Sequence, residues 1–193
     1  MIIDVIIIGS NGLGKEIAVL LGNKFLEKKF RLLGFVDDFK VVGTEINKIK
    51  VLGNIDWLLK ERPCSNIILG FSDLNSRKSL KYKLSSQLFN FPTIIHPDSI
   101  LLDPSNIKFG TGCVIFPYSI FTTNISIGDD VIVHVGVRIL HDVSINDNCI
   151  LMPNVLITGG AKVGKNVFIG AGAIGPYFIC VLNNTKIESG SVF

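Results

Sequence analysis

The chain has 193 residues, 48% of them hydrophobic, with four cysteines and a net charge of +3. That is enough apolar material for one or two well-filled domains, and the charge is too small and too dispersed for a nucleic-acid partner. No apolar stretch reaches transmembrane length, the opening MIIDVIIIGS lacks a basic leader and carries Asp4, and the scattered cysteines form no CxxC, so a membrane partner and a secreted disulfide scaffold are both excluded and a cytoplasmic protein with reduced thiols is expected.

Residues 5–8 form a short apolar strand, followed by Gly9-Ser10-Asn11-Gly12-Leu13-Gly14-Lys15 and a helix expected from about Lys15 through Ile17, Leu20 and Leu21. Residues 32–36 read as a second strand ending in Asp37-Asp38, 54–59 as a short helix, 67–69 as a strand ending at Gly70, and 77–88 as a further helix. Strands alternating with helices indicate a small parallel sheet covered on both faces. Ligands of such sheets bind beyond the carboxyl ends of the strands, where Gly9 to Gly14, Asp37-Asp38 and Gly70-Phe71-Ser72 converge.

The glycine turn approaches two nucleotide-binding patterns and completes neither. Gly9 to Lys15 has P-loop spacing, but Glu16 stands where Ser or Thr must hold magnesium, and a carboxylate there repels phosphate. The order Gly9, Gly12, Gly14 is not G-x-G-x-x-G, although Asp37 or Asp38 sits at a suitable distance for a ribose hydroxyl. Two readings stay open: the backbone N–H groups of Gly9, Ser10, Asn11, Gly12 and Leu13 face a phosphate-bearing ligand, or the turn merely joins strand to helix.

From Phe109 onward a large apolar residue returns every sixth position (Ile115, Phe121, Ile127, Val133, Ile139 and on to Phe193), with Gly175 as the one break. A smaller inward position follows four residues after each anchor, as at Cys113, Val131, Cys149 and Ala161. Six fits neither helix nor flat strand. It fits a chain that runs a short strand, turns a corner and repeats around a prism, three hexads to the coil. Residues eighteen apart then stack at about 4.8 Å. The corners Ile127-Gly128-Asp129-Asp130, Ile145-Asn146-Asp147-Asn148 and Val163-Gly164-Lys165-Asn166 predict positive φ at their Gly or Asn in second place.

An α/β unit with an IIIGSNGLGKE turn and a GFVDDF strand end, followed by hexads containing FPYSIF, HDVSI and KVGKNVFIGAGA, resembles the bacterial sugar acyltransferases of the sialic acid O-acetyltransferase and nucleotide-linked amino-sugar N-acetyltransferase type. The resemblance implies an α/β N-terminal domain binding a nucleotide sugar over 1–92, a left-handed parallel β-helix of hexapeptide repeats over 93–193, a homotrimer with active sites between neighbouring columns, and acetyl-CoA as co-substrate. It implies N-acetylation of a nucleotide-linked amino sugar for surface polysaccharide or glycan biosynthesis, with sugar O-acetylation and a non-catalytic nucleotide-sugar-binding trimer as the alternatives.

Acyl transfer from a thioester needs a group that removes the nucleophile's proton, and imidazole is suited to that at neutral pH. His141 lies two residues past the inward Ile139, at an outward corner, and is followed by Asp142; in the similar enzymes the His of this pair is the proposed base. Counting eighteen onward places Gly159 beside it, leaving room for a pantetheine arm and an N–H to polarise the thioester carbonyl, and Gly160 with Ala171 and Gly172 continues a coenzyme groove. His134 and His96 are weaker candidates. No metal site is expected, because His134 and His141, seven residues apart, fall at different corners. Leu140, Leu13 and Ile150 stand where some relatives carry polar groups, so the imidazole is expected to be oriented by Asp142, backbone or water. Ending at Phe193, the sequence lacks the tail that helps close the coenzyme site in relatives, from which weaker coenzyme binding, or a wall supplied by a neighbouring subunit, is expected.

Overall fold

A computed structural model describes residues 2–85 and 87–193, so Ser86, within the predicted helix 77–88, lies outside the described residues. The chain divides into two compact units, Met1–Pro92 and Thr93–Phe193.

In the first unit β1 (Ile3–Ile8), α1 (Gly12–Leu21), β2 (Phe30–Val36), β3 (Glu45–Ile46), β4 (Ile49–Gly53), α2 (Ile55–Glu61), β5 (Asn66–Leu69) and α3 (Leu74–Leu84) build one sheet in the order β3-β4-β2-β1-β5. All pairings are parallel except β3 with β4. The central β1 is an apolar run because both of its faces are covered, and its last four residues are buried. Ile6, Ile8, Val36, Leu58, Ile67 and Leu84 share one core.

Three local signals set boundaries the sequence reading missed. Helix α1 starts at Gly12, three residues early, and its Gly14 packs so tightly on the Gly9 carbonyl oxygen that no side chain fits between them. The β3–β4 hairpin turns on Asn47-Lys48, both at positive φ (49° and 66°). Helix α3 starts at Leu74 and not at residue 77, since the Asp73 carboxylate caps it by accepting from the Ser76 N–H at 2.7 Å.

The second unit is a prism of three parallel sheets whose strands are two or three residues long. The eighteen-residue register holds throughout the regular coils: Phe121 pairs with Ile139, Ile139 with Ile157, and Ile157 with Gly175. The interior is a single apolar column that includes Ile115, Phe121, Ile139, Leu151, Ile157 and Val163, all fully buried. Burying such side chains contributes roughly 1.5–3 kcal/mol each, which is how two-residue strands hold together. At the missing anchor, Gly175, the ring of Phe193 takes the vacated space, its Cζ 3.0 Å from where a Cβ would stand. The polar interior positions are satisfied along the axis: the Cys113 thiol donates to the Gly128 carbonyl at 3.1 Å and the Cys149 thiol to Gly164 at 3.0 Å.

The corner prediction is corrected. Positive φ falls on the fourth residue of each corner, Asp130 (57°), Asn148 (53°) and Asn166 (57°), and not on Gly128, Asn146 and Gly164. Those glycines answer to close approach. The Asp147 carboxylate folds over to accept from the Asp129 N–H at 3.0 Å and would lie 2.5 Å from a Cβ on Gly128; Asn183 treats Lys165 and Gly164 in the same way. Opposite Asn146 the next coil offers the long Lys165 and not a short acceptor, and there a side chain is allowed.

The column also begins earlier than the repeat, with strands at Ile94–Ile95 and Ile100–Leu101. Two extra residues at the 3-10 turn Pro104–Asn106 break the six-residue beat before Phe109.

Candidate active site

One prism edge stacks residues 124, 142, 160 and 178 at positive φ, with Asn, Asp, Gly and Phe in turn. The αL backbone at Asp142 (58°) is tolerated by a short polar residue and throws the preceding His141 outward, leaving its side chain 47% exposed. The imidazole Nδ1 is 2.8 Å from Asp142 Oδ2, while Asp142 Oδ1 accepts from Asn124 Nδ2 at 3.1 Å one rung away. The hydrogen bond with His141 and the amide of Asn124 hold the Asp142 carboxyl below the usual carboxylate range. A carboxylate on Nδ1 fixes the tautomer that leaves Nε2 as the free acceptor, the arrangement a general base needs.

Gly159 lies one rung from His141, and the space its missing side chain leaves is bordered by the imidazole and by Tyr177. A Cβ there would stand 2.5 Å from His141 Cε1, 2.6 Å from Nε2 and 2.9 Å from Tyr177 Cε1. The glycine makes room for the imidazole itself. Gly160 is likewise covered by the Phe178 ring. Ala171 and Gly172 do not continue this edge: Gly172 donates to Pro153 across a neighbouring corner, at the opposite side of the face formed by Arg138–Ile139, Leu156–Ile157 and Ile174–Gly175. The space above Gly172 is open within one chain.

The other histidines are buried. His134 stacks on Phe116 with ring centroids 4.4 Å apart and accepts from the Val135 N–H, and His96 accepts from the Asp98 N–H at 3.1 Å. Among the described residues no cluster of three or more His, Cys, Asp or Glu could hold a metal ion.

In the first unit, Gly9, Asn11, Asp37, Asp38, Phe39 and Phe71 border a cavity of about 340 Å³. Asn11 precedes α1 without capping it through its side chain, so the first-turn N–H groups point outward from an uncapped, acid-free helix start. Gly12 has open space around it and Leu13 is half-buried. Ser10 is a different matter. It is buried, and its N–H and hydroxyl both donate to Asp37 Oδ2, at 2.9 and 2.5 Å, so its side chain ties the turn to β2. Asp37 Oδ1 accepts from the Phe39 N–H and Asp38 Oδ1 from the Ile55 N–H, which makes these two carboxylates braces of the cavity wall before they are ligands for a hydroxyl. Gly70 packs against Ile7 and Gly14 and serves backbone approach.

Sequence reasoning missed Asn124 and Tyr177, although the eighteen-residue count leads from His141 and Asp142 to both. It also missed Ser76 and Leu80, which the cap at Asp73 brings to the cavity.

Residues 142–174 match the model of the bacterial transferase hexapeptide (six repeats). The second unit is therefore a left-handed parallel β-helix carrying the hexapeptide transferase repeat, preceded by an α/β unit. Over 172 residues, 87% of this chain and 76% of the relative, the chain is 26% identical to the GDP-perosamine N-acetyltransferase of Escherichia coli O157:H7. The acetyltransferase domain of PglB from Neisseria gonorrhoeae FA1090, in complex with acetyl coenzyme A, superposes with a TM-score of 0.89 at 23% identity, over 100% of this chain and 91% of that one. PerB from Caulobacter crescentus, in complex with CoA and GDP-perosamine, superposes with a TM-score of 0.84 at 23% identity, over 100% and 90%.

Proposed function

We propose that this protein is an acetyl-CoA-dependent N-acetyltransferase acting on a nucleotide-linked amino sugar, with His141 as general base. The observation that carries the reading is the chain Asn124, Asp142, His141 at an open prism edge. The neutral amine of the sugar attacks the thioester carbonyl as His141 Nε2 takes its proton, and Asp142 stabilises the imidazolium across Nδ1. The tetrahedral intermediate expels the thiolate, which recovers the proton from Nε2, giving the amide and free coenzyme A.

The cavity of the first unit holds the nucleotide, with its phosphates at the uncapped start of α1. A homotrimer completes the site. The prism face bearing the outward Ile100, Ile120, Leu156, Ile174 and Val192 is an apolar stripe interrupted by Arg138, whereas the face bearing Lys108, Ser126, Ser144, Lys162 and Cys180 is polar. Packing the apolar face between columns buries it and brings the open Gly172 corner of one subunit toward the His141 edge of the next, which supports a coenzyme groove shared by two chains. Among the described residues no helix is long and apolar enough to cross a membrane, and we place the protein in the cytoplasm with its two substrates.

The test is acetyl-CoA turnover with a panel of nucleotide-linked amino sugars and sialic acids. Amide formation on an amino sugar is expected; ester formation on a sialic acid would move the enzyme to O-acetylation. No turnover on either, with nucleotide sugars still raising the melting temperature, would reduce it to a binding protein.

A further inference from the structure

Along the His141 edge the αL position is filled by Asn124, Asp142 and Gly160, residue types that accept it, and then by Phe178 at φ 58°. A bulky aromatic residue is unfavourable in that conformation and needs its surroundings to hold it there. What the strained corner presents is a pair of exposed rings: Tyr177, 57% exposed, and Phe178, 79% exposed, with centroids 6.1 Å apart. Phe178 lies across Gly160, and Tyr177 reaches over Gly159 to within 6.0 Å, centroid to centroid, of the His141 imidazole. The glycine pair thus lets two rings of the next rung lie on the backbone beside the base.

The gap between His141 and Tyr177 is too narrow for anything else. Carbon atoms in contact sit about 3.5–4 Å apart, so a methylene between two groups needs roughly 7–8 Å between them. At 6.0 Å and a 47° tilt the two rings leave no room for a group between them, so substrate and coenzyme reach the imidazole from elsewhere.

We propose that Tyr177 is a positioning residue for His141: Asp142 pins Nδ1, and the Tyr177 ring, 6.0 Å away and tilted 47°, limits the swing of the imidazole toward the next rung, so that Nε2 faces its proton in a fixed direction. Phe178, anchored on Gly160, keeps Tyr177 in place. The role belongs to the ring and not to the phenol, and it rests on the acyl-transfer reading above.

The experiment compares wild type, Tyr177→Phe and Tyr177→Ala in full-length protein, by steady-state kinetics and by the His141 Hε1 resonance. Tyr177→Ala is expected to lower kcat by about tenfold or more, as loosening a reacting group by a fraction of an ångström does. KM for the nucleotide sugar should be unchanged, and the Hε1 resonance should lose the ring-current shift of the neighbouring aromatic. Tyr177→Phe should restore both kcat and the resonance. A Tyr177→Ala enzyme with wild-type kcat, or a Phe variant as slow as the Ala variant, overturns the proposal. The resonance is read without turnover, so a wild-type protein that transfers no acetyl group refutes the acyltransferase reading while the Hε1 shift still decides whether Tyr177 holds the ring.

Discussion

Adding one methyl group at Gly159 tests the site geometry with little disturbance of the fold. The new Cβ of Gly159→Ala would stand 2.5 Å from His141 Cε1 and 2.6 Å from Nε2, where carbon contacts settle at about 3.5 Å or more, so the imidazole must retreat by about 1 Å. Tyr177 Cε1, 2.9 Å from the new Cβ, closes the direction toward the next rung. Both neighbours are the ends of side chains and not backbone, so stability should change by less than about 1 kcal/mol. Turnover is another matter, since a base displaced by 1 Å loses about a hundredfold. Product formation is best followed by mass spectrometry, because a thiol reagent would also read the exposed Cys64 and Cys180. An alanine variant that keeps both its melting temperature and full turnover would refute the placement of the imidazole over this glycine.

Three further outcomes follow from the packing. Burial alone would push the Asp37 carboxyl up, but the Ser10 hydroxyl and the Phe39 and Ser10 N–H groups outweigh it and hold the carboxyl below the usual range. Its contribution to stability is therefore complete above the unfolded value of about 3.9 and fades as pH falls through the lower folded value. Asp37→Ala should cost about 3 kcal/mol near neutral pH in denaturant titrations, with the deficit shrinking in acid. Burial pushes the Cys113 thiol up to about 11 and the Cys149 thiol up to about 12. Both should resist thiol reagents in the native state while Cys64 and Cys180 label at once, and their share of stability, complete below the unfolded value of about 8.5, should be lost as pH rises toward the folded values. Leu156→Arg, on the outward apolar stripe, should turn a trimer into a monomer by light scattering and abolish turnover together; full activity in a monomer would remove the shared groove.

The regular coils were legible because each hexad repeats one physical requirement, an inward anchor followed by a corner. Where the requirement changes, legibility stops: two extra residues near Pro104 break the beat, so the hexad count alone starts at Phe109 although the resemblance bounds the unit at 93, and a hairpin turning on Asn47-Lys48, with no glycine, hid β3 and β4. The Gly128 error has the same root, since the reason for that glycine is the Asp147 side chain nineteen residues later. The count of eighteen found the His141 and Gly159 pair but, stopped one rung short, left out Tyr177, whose ring also borders the space above that glycine. For Asp37 no local signal exists. Its partner Ser10 is 27 residues away, and only the folded sheet reveals that the carboxylate is engaged.

Replacement of His141 by alanine, with each protein incubated with acetyl-CoA and a nucleotide-linked amino sugar, is the most direct measurement. Wild type should add one acetyl group to the sugar amine, and the variant should do so about a hundredfold or more slowly, as expected for a lost general base. Equal rates for the two proteins would contradict the assignment.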